Sequence, residues 1–250
     1  MSLTRHIVTL AIAAELCAGC GLRKGESAMM EQAGGVTILY HGHACFTIKD
    51  SEGFTVVIDP FDATVGFPIP DWRADAVLAT HSHFDHANVS AVKCERAPIV
   101  AQEGESRAGK LVVLGVKAPH WTTPDVKQRG DRWQQGGVVL CHTGDLGQVL
   151  TEDQIQKLRP VDVLMLPVGG NYTIGPTEAV EVIRQLQPAI VIPMHYKTGR
   201  SKLEIGTVGE FLNVLPPEWD VQREAGNFIY VDRQLIEGLP SRPRIWVLNP

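Results

Sequence analysis

His81-Ser82-His83-Phe84-Asp85-His86 puts three imidazoles and one carboxylate into six residues, directly after the apolar run Ala-Val-Leu-Ala-Thr at 76–80. Imidazole nitrogen and carboxylate oxygen are the ligand types of a borderline divalent ion such as zinc, and four of them this close together can serve two ions rather than one. In an extended segment His81 and His83 project to the same side, and a turn into a helix carries Asp85 and His86 round toward a neighbouring ion. Two ions about 3.5 to 4 Å apart form the arrangement that activates water and holds an oxyanion. Three histidines and an aspartate at this spacing have no packing rationale in an apolar core.

Working outward, the same habit recurs: a short apolar run, then groups able to bind metal. Residues 36–40 precede His41-Gly42-His43, residues 54–58 precede Asp59-Pro60, and residues 111–116 lead to His120. Residues 138–140 precede His142-Thr143-Gly144-Asp145, and residues 189–192 precede Pro193-Met194-His195. Each run has the length and β-branched content of a buried strand, so the polar groups collect on loops at strand ends. Thr151-Glu152-Asp153-Gln154 is a capping-box start for a helix to about Leu158, ended by Pro160. Gly175-Pro176 opens a second helix, with Ala179, Val180, Ile183 and Leu186 on one face before Pro188. Alternation of strands and helices without a linker predicts one layered α/β domain over residues 36–235. Residues 236–250 read as a tail, with 228–231 and 245–248 as expected edge strands.

The composition fits that picture. A chain of 250 residues with 44% hydrophobic and 20% charged residues buries a sizeable core, which excludes disordered, collagenous and coiled-coil classes. Net charge is -5 and no Lys/Arg cluster offers a footprint for a nucleic acid backbone, so the expected partner is a small molecule. Five scattered cysteines are too few for a disulfide framework.

With these motifs in order, the sequence resembles the metallo-β-lactamase superfamily, whose signature is His-x-His-x-Asp-His. Ile58-Asp59-Pro60, Ala118-Pro119-His120, His142-Thr143-Gly144-Asp145 and Pro193-Met194-His195-Tyr196 are similar to its remaining motifs. With Gly42-His43 and Leu166-Pro167-Val168-Gly169-Gly170 it looks most like the bacterial branch that includes the ascorbate-phosphate lactonase and uncharacterised metal-dependent hydrolases. The resemblance implies a four-layer αββα sandwich with His81, His83 and His120 on one zinc, Asp85, His86 and His195 on a second, and Asp145 bridging. Manganese or iron are alternatives to the two zinc ions. It further implies Asp59 as a carboxylate that orients a ligand histidine, and His142 as a neighbour of the site and not a ligand.

The implied activity is hydrolysis of an ester, lactone or phosphodiester by a hydroxide held between the ions, with Asp85 or Asp145 taking the proton. His43 is expected to touch substrate or to protonate the leaving group, and Trp121, Asn171 and Tyr196 to line the cleft. The alternatives carried are an envelope sensor or binding protein without turnover, and an iron-dependent oxidoreductase on the same ligands. Three departures bear on substrate: Gly144-Asp145-Leu146-Gly147 stands where relatives commonly read Gly-Asp-Thr-Gly, Trp121 follows His120 where a small residue is frequent, and Asn171 stands where close relatives often carry His.

Gly104 to Lys110 has the spacing of a phosphate-binding loop, yet Leu111 replaces the Ser/Thr and a strand-like run follows, so a nucleotide site is not expected. Residues 1–28 read as an address: Arg5 and His6, an apolar stretch at 7–14, then Ala18-Gly19-Cys20. This resembles a bacterial lipoprotein signal with Cys20 as the lipidated residue, although Glu15 interrupts the apolar stretch. The expectation is export and membrane anchoring through Cys20; a start at Met29 or Met30 would instead leave the protein in the cytoplasm.

Overall fold

The computed structural model describes residues 34–120 and 127–250. The expected leader, Cys20 and Trp121 lie outside the described residues. Within them the strands, in chain order, are β1 (Gly35–Gly42), β2 (Cys45–Asp50), β3 (Thr55–Ile58), β4 (Ala76–Ala79), β5 (Ile99–Val100), β6 (Gly104–Ala108) and β7 (Leu111–Lys117). They continue as β8 (Arg129–Gln135), β9 (Val138–His142), β10 (Val163–Pro167), β11 (Ile190–Met194), β12 (Asp220–Arg223), β13 (Phe228–Asp232) and β14 (Arg244–Val247). The helices are α1 (Glu152–Leu158), α2 (Pro176–Leu186), α3 (Val208–Leu212) and α4 (Arg233–Gly238).

Two mixed sheets pack face to face, one of six strands in the order β13-β1-β2-β3-β4-β5 and one of eight in the order β12-β14-β11-β10-β9-β8-β7-β6. Alternation along the strands decides which side chains meet. Phe46, Ile48, Val56, Ile58, Ala76 and Leu78 turn inward to the core between the sheets. Their neighbours Cys45, Val57 and Val77 turn outward and are covered by Phe61, Val65, Phe67, Trp72 and Val92. On that side the outer layer is reduced to loops and the 3₁₀ turns Ala63–Val65 and Val89–Ala91.

The centre of the eight-stranded sheet is buried on both faces, and β10 and β11 are accordingly apolar without alternation and buried at every position. Strands β9, β10, β11, β14 and β12 run parallel there, with α1 and α2 in the connections. Both helices start and stop where their capping residues dictate: Thr151 and Gln154 form the reciprocal capping box of α1, and Pro176 opens α2. Ala179, Val180, Ile183 and Leu186 form its buried face, as the 3.6-residue period requires.

Two expectations need correction. The segment 236–250 is not a tail, and β14 is not an edge strand: it lies between β11 and β12, so a domain boundary at 235 would cut the sheet. Burial of Ile245 and Val247 against the core explains why it belongs there. Strand β8, Arg-Gly-Asp-Arg-Trp-Gln-Gln, carries no apolar pattern that would announce a strand. It is held by inward polar groups that find partners: Arg129 Nη2 donates to Asp131 Oδ2 at 3.0 Å, and Gln135 Nε2 donates to the Phe54 carbonyl at 2.9 Å.

Candidate metal centre

Every side chain of the site hangs on a loop leaving the C-terminal end of a strand: His43 after β1, Asp59 after β3, His81 to His86 after β4, His120 after β7, Asp145 after β9 and His195 after β11. Three of these residues turn sharply out of their strands in the left-handed region, with φ of 55° at His43, 50° at Asp59 and 52° at His195. Non-glycine residues pay roughly 1 kcal/mol or more for this, so neighbouring contacts must hold them there. For His43 they are visible: its carbonyl accepts from the Tyr40 hydroxyl at 2.9 Å and from the His195 amide at 2.7 Å. A register shift between β1 and β2 at Tyr40 and Gly42 provides the bend.

The loops bring the expected ligand residues together. His81, His83 and His120 form one group able to hold an ion, His43, Asp85, His86 and His195 a second, and His81, His86 and Asp145 a third, each with ligand atoms within 4.8 Å of one another. Asp145 faces both halves. Its Oδ2 lies 3.4 Å from His120 Nε2 and 3.9 Å from His81 Nε2, while Oδ1 lies 3.1 Å from His86 Nε2 and 3.4 Å from His195 Nε2.

Behind the ligands a buried carboxylate sets the tautomers. Asp59 can only accept, so His86 Nδ1 donates to Asp59 Oδ2 across 2.7 Å and Nε2 is left with its lone pair toward the site. Thr80 donates its amide and its hydroxyl to Asp59, both at 2.7 Å. With its proton committed, the Thr80 oxygen accepts from His81 Nδ1 at 3.1 Å, which turns the His81 Nε2 lone pair to the site as well. His142 has both nitrogens occupied, one at 2.9 Å from the Ala44 carbonyl and the other accepting from the Gly144 amide at 3.1 Å. It therefore has no lone pair for a metal.

The donor set fits a cation. His86 Nε2 and Asp145 Oδ1 are buried yet make no hydrogen bond, although they stand 3.1 Å apart. Atoms that approach without alignment converge on a common point rather than on each other. Charge says the same. Burial would lower the His86 imidazole, but Asp145, Asp85 and Asp59 outweigh it and hold its pKa well above the ordinary value. Burial would raise Asp145, but His195 and His86 keep it well below the usual carboxylate range. Burial holds His81 and His195 down at about 3, neutral and ready to ligate.

A cleft of about 330 Å³ opens over the site, lined by His83, Phe84, Asp85, His120, Asp145, Tyr172 and Leu203. Two expected cleft residues are placed elsewhere. Tyr196 is buried, its hydroxyl donating to the Leu248 carbonyl at 3.1 Å, because the turn at His195 sends consecutive side chains apart. Asn171 is spent on the Glu204 carbonyl at 2.7 Å, and its neighbour Tyr172 lines the cleft instead. His43 is 1% exposed and does not line the cleft; its Nε2 is 3.1 Å from Asp85 Oδ2, behind that carboxylate. Its expected contact with substrate is corrected accordingly: the inward turn at Gly42 and His43 points the ring at the ligands. Leu203 gave no sequence signal, while Phe84 stood in plain view inside the metal motif.

Comparisons with known proteins agree with this geometry. The family described as Beta-lactamase superfamily domain matches residues 37–195. A UPF0173 metal-dependent hydrolase of Thermoplasma acidophilum is 31% identical over 218 residues, covering 72% of this chain and 95% of that protein. One from Archaeoglobus fulgidus is 31% identical, over 64% of this chain and 83% of its own length. Among solved structures, a protein from Thermotoga maritima assigned as a zinc-dependent hydrolase of the metallo-β-lactamase superfamily superposes with a TM-score of 0.69 at 36% identity, over 85% of this chain and 98% of that one. The order of the motifs, the two facing sheets and the histidine-aspartate cluster at their strand ends thus have one common explanation: this chain belongs to the metallo-β-lactamase superfamily, among its metal-dependent hydrolases.

Proposed function

We propose that this protein is a dinuclear zinc hydrolase that cleaves an ester-type bond, a carboxylic ester, lactone or phosphodiester, in a small molecule. The observation that carries the reading is Asp145, whose two oxygens face two separate sets of histidines. His81, His83 and His120 would hold one ion, Asp85, His86 and His195 the other, and Asp145 both. Bound there, divalent ions supply Lewis acidity for the scissile group and lower the pKa of water.

The chain's own residues do the rest. Asp59 and Thr80 lock the orientation of His86 and His81, so the ligand geometry does not have to reorganise during turnover. His43 holds Asp85 from behind. Burial would raise Asp85, but His86 and His43 keep it well below the usual carboxylate range, so it stands ionised at the cleft floor and able to ligate.

The test is metal analysis of protein expressed with ample zinc, joined to turnover on p-nitrophenyl esters, lactones, bis(p-nitrophenyl) phosphate and nitrocefin before and after chelation. Close to two ions per chain and chelator-sensitive hydrolysis are expected. One ion or none, or turnover indifferent to chelation, contradicts the reading.

A further inference from the structure

The cleft over the metal groups has a polar floor and an apolar wall. His83, Asp85, His120 and Asp145 make the floor; Phe84, Tyr172 and Leu203 make the wall. Phe84 is 59% exposed and Tyr172 37%, and Phe84 sits between two residues of the metal cluster.

The loop that brings Leu203 is fastened in three ways. Asn171 Nδ2 donates to the Glu204 carbonyl at 2.7 Å, Lys197 Nζ to the Leu203 carbonyl at 2.6 Å, and the Gly206 amide to the Gly169 carbonyl at 2.6 Å. An apolar side chain held this firmly at the cleft is part of a built surface.

Charge sharpens the point. Among the described residues lining the cleft there is no Lys or Arg. Lys197, in the strand-end segment leading to this loop, already serves the Leu203 carbonyl and stands 3.3 Å from the Glu204 carboxylate. A phosphate or carboxylate carried away from the scissile bond would meet no Lys or Arg among the lining residues, Arg200 and Lys202 of the Leu203 loop being exposed outside that lining, whereas recognition of such groups calls for Arg or Lys.

Resting on the reading of the site as a hydrolytic metal centre, we propose that the substrate is a carboxylic ester or lactone whose remaining part is uncharged and apolar and lies on Phe84, Tyr172 and Leu203. The water oxygen bonds to the carbonyl carbon as the ester C–O bond breaks, giving a carboxylic acid and an alcohol, or one hydroxy acid from a lactone. No oxidant or further reactant is consumed.

The experiment compares p-nitrophenyl acetate, butyrate and hexanoate with bis(p-nitrophenyl) phosphate on the zinc-loaded full chain. Expected is a rise in kcat/KM with acyl length and about a tenfold or larger preference for hexanoate over the phosphodiester. Phe84→Ala should raise KM for hexanoate about tenfold with metal content unchanged, and Leu203→Ala, which leaves the metal motif intact, should act in the same direction. Saturation-transfer NMR with 2-heptanone should show contact in the wild type and none in Phe84→Ala. Chelator-sensitive hydrolysis of the phosphodiester at or above the esters, or wall variants without effect on KM, overturns this inference alone. Absence of chelator-sensitive turnover on the whole panel overturns the hydrolytic reading and this inference with it.

Discussion

Asp59 accepts a hydrogen bond from Nδ1 of His86 at 2.7 Å, and neither residue is exposed to solvent. The pair converts a buried charge into control of a ligand's tautomer, and Thr80 extends that control to His81. Burial would raise the Asp59 carboxyl, but His142 and His86 keep it below its ordinary value, so it stays ionised. Asp59→Asn keeps the shape and removes the charge. Metal affinity should fall about 10- to 100-fold, the usual effect of losing such a partner, as measured by competition with a chromophoric chelator. Unaltered affinity would show that the tautomers are set some other way.

Asp145→Asn should reduce metal content from two ions toward one and cut turnover along with it, because one neutral amide replaces the carboxylate that faces both histidine sets. Metal analysis by mass spectrometry after gel filtration checks this. Two tightly held ions in the variant would remove Asp145 from the bridge.

His43→Ala should weaken the ion bound by Asp85, His86 and His195 and spare the one bound by His81, His83 and His120, since His43 stands 3.1 Å from Asp85 on the first side only. Titration with cobalt followed by visible absorption separates the two sites. Equal weakening of both, or of neither, goes against the placement.

A Cβ on Gly169 would lie 2.2 Å from the His195 carbonyl oxygen. Backbone cannot yield that distance cheaply, so Gly169→Ala should cost about 1 to 3 kcal/mol and shift the His195 ligand. Urea unfolding and metal content should both register the change; a variant that matches the wild type in both contradicts it.

Acid should destabilise the metal-free protein before the carboxylates titrate. Burial holds His81 and His195 at about 3 and His41 at about 4, whereas the unfolded chain titrates them near 6.5. Between pH 6.5 and 4 the unfolded state thus binds protons that the folded state refuses, and stability falls as pH falls, by up to about 1.4 kcal/mol per pH unit for each histidine. His86 is shifted the other way, so it opposes this decline near pH 6.5 and ceases to do so once the unfolded histidine is protonated as well. Urea midpoints at pH 7, 6 and 5 should decline; constant midpoints would contradict the burial of these rings.

What the residue order determined by itself was the inventory of the centre and the frame that carries it. His81, His83, Asp85 and His86 are neighbours in sequence, and the apolar runs before His120, Asp145 and His195 are strong enough to be strands in any context, so spacing and hydrophobic pattern sufficed. Capping residues did the same for α1 and α2. Beyond that reach lay everything set by distant partners. Strand β8 exists because it pairs with β7 and β9 on either side and Gln135 reaches the Phe54 carbonyl, which no local pattern encodes. Residues 244–247 enter the interior of a sheet through pairing with β11 and β12, far away in the chain. Adjacent residues at the site part company for a related reason: at His195 a backbone turn with φ of 52° leaves the imidazole among the ligands and ties Tyr196 to the Leu248 carbonyl. Tyr172 and Leu203 meet Phe84 over the metal groups because two loops are tied together by Asn171 and Glu204. Ligand chemistry is a property of residue type and spacing; the direction of a side chain and the company it keeps depend on contacts that form only when the chain closes on itself.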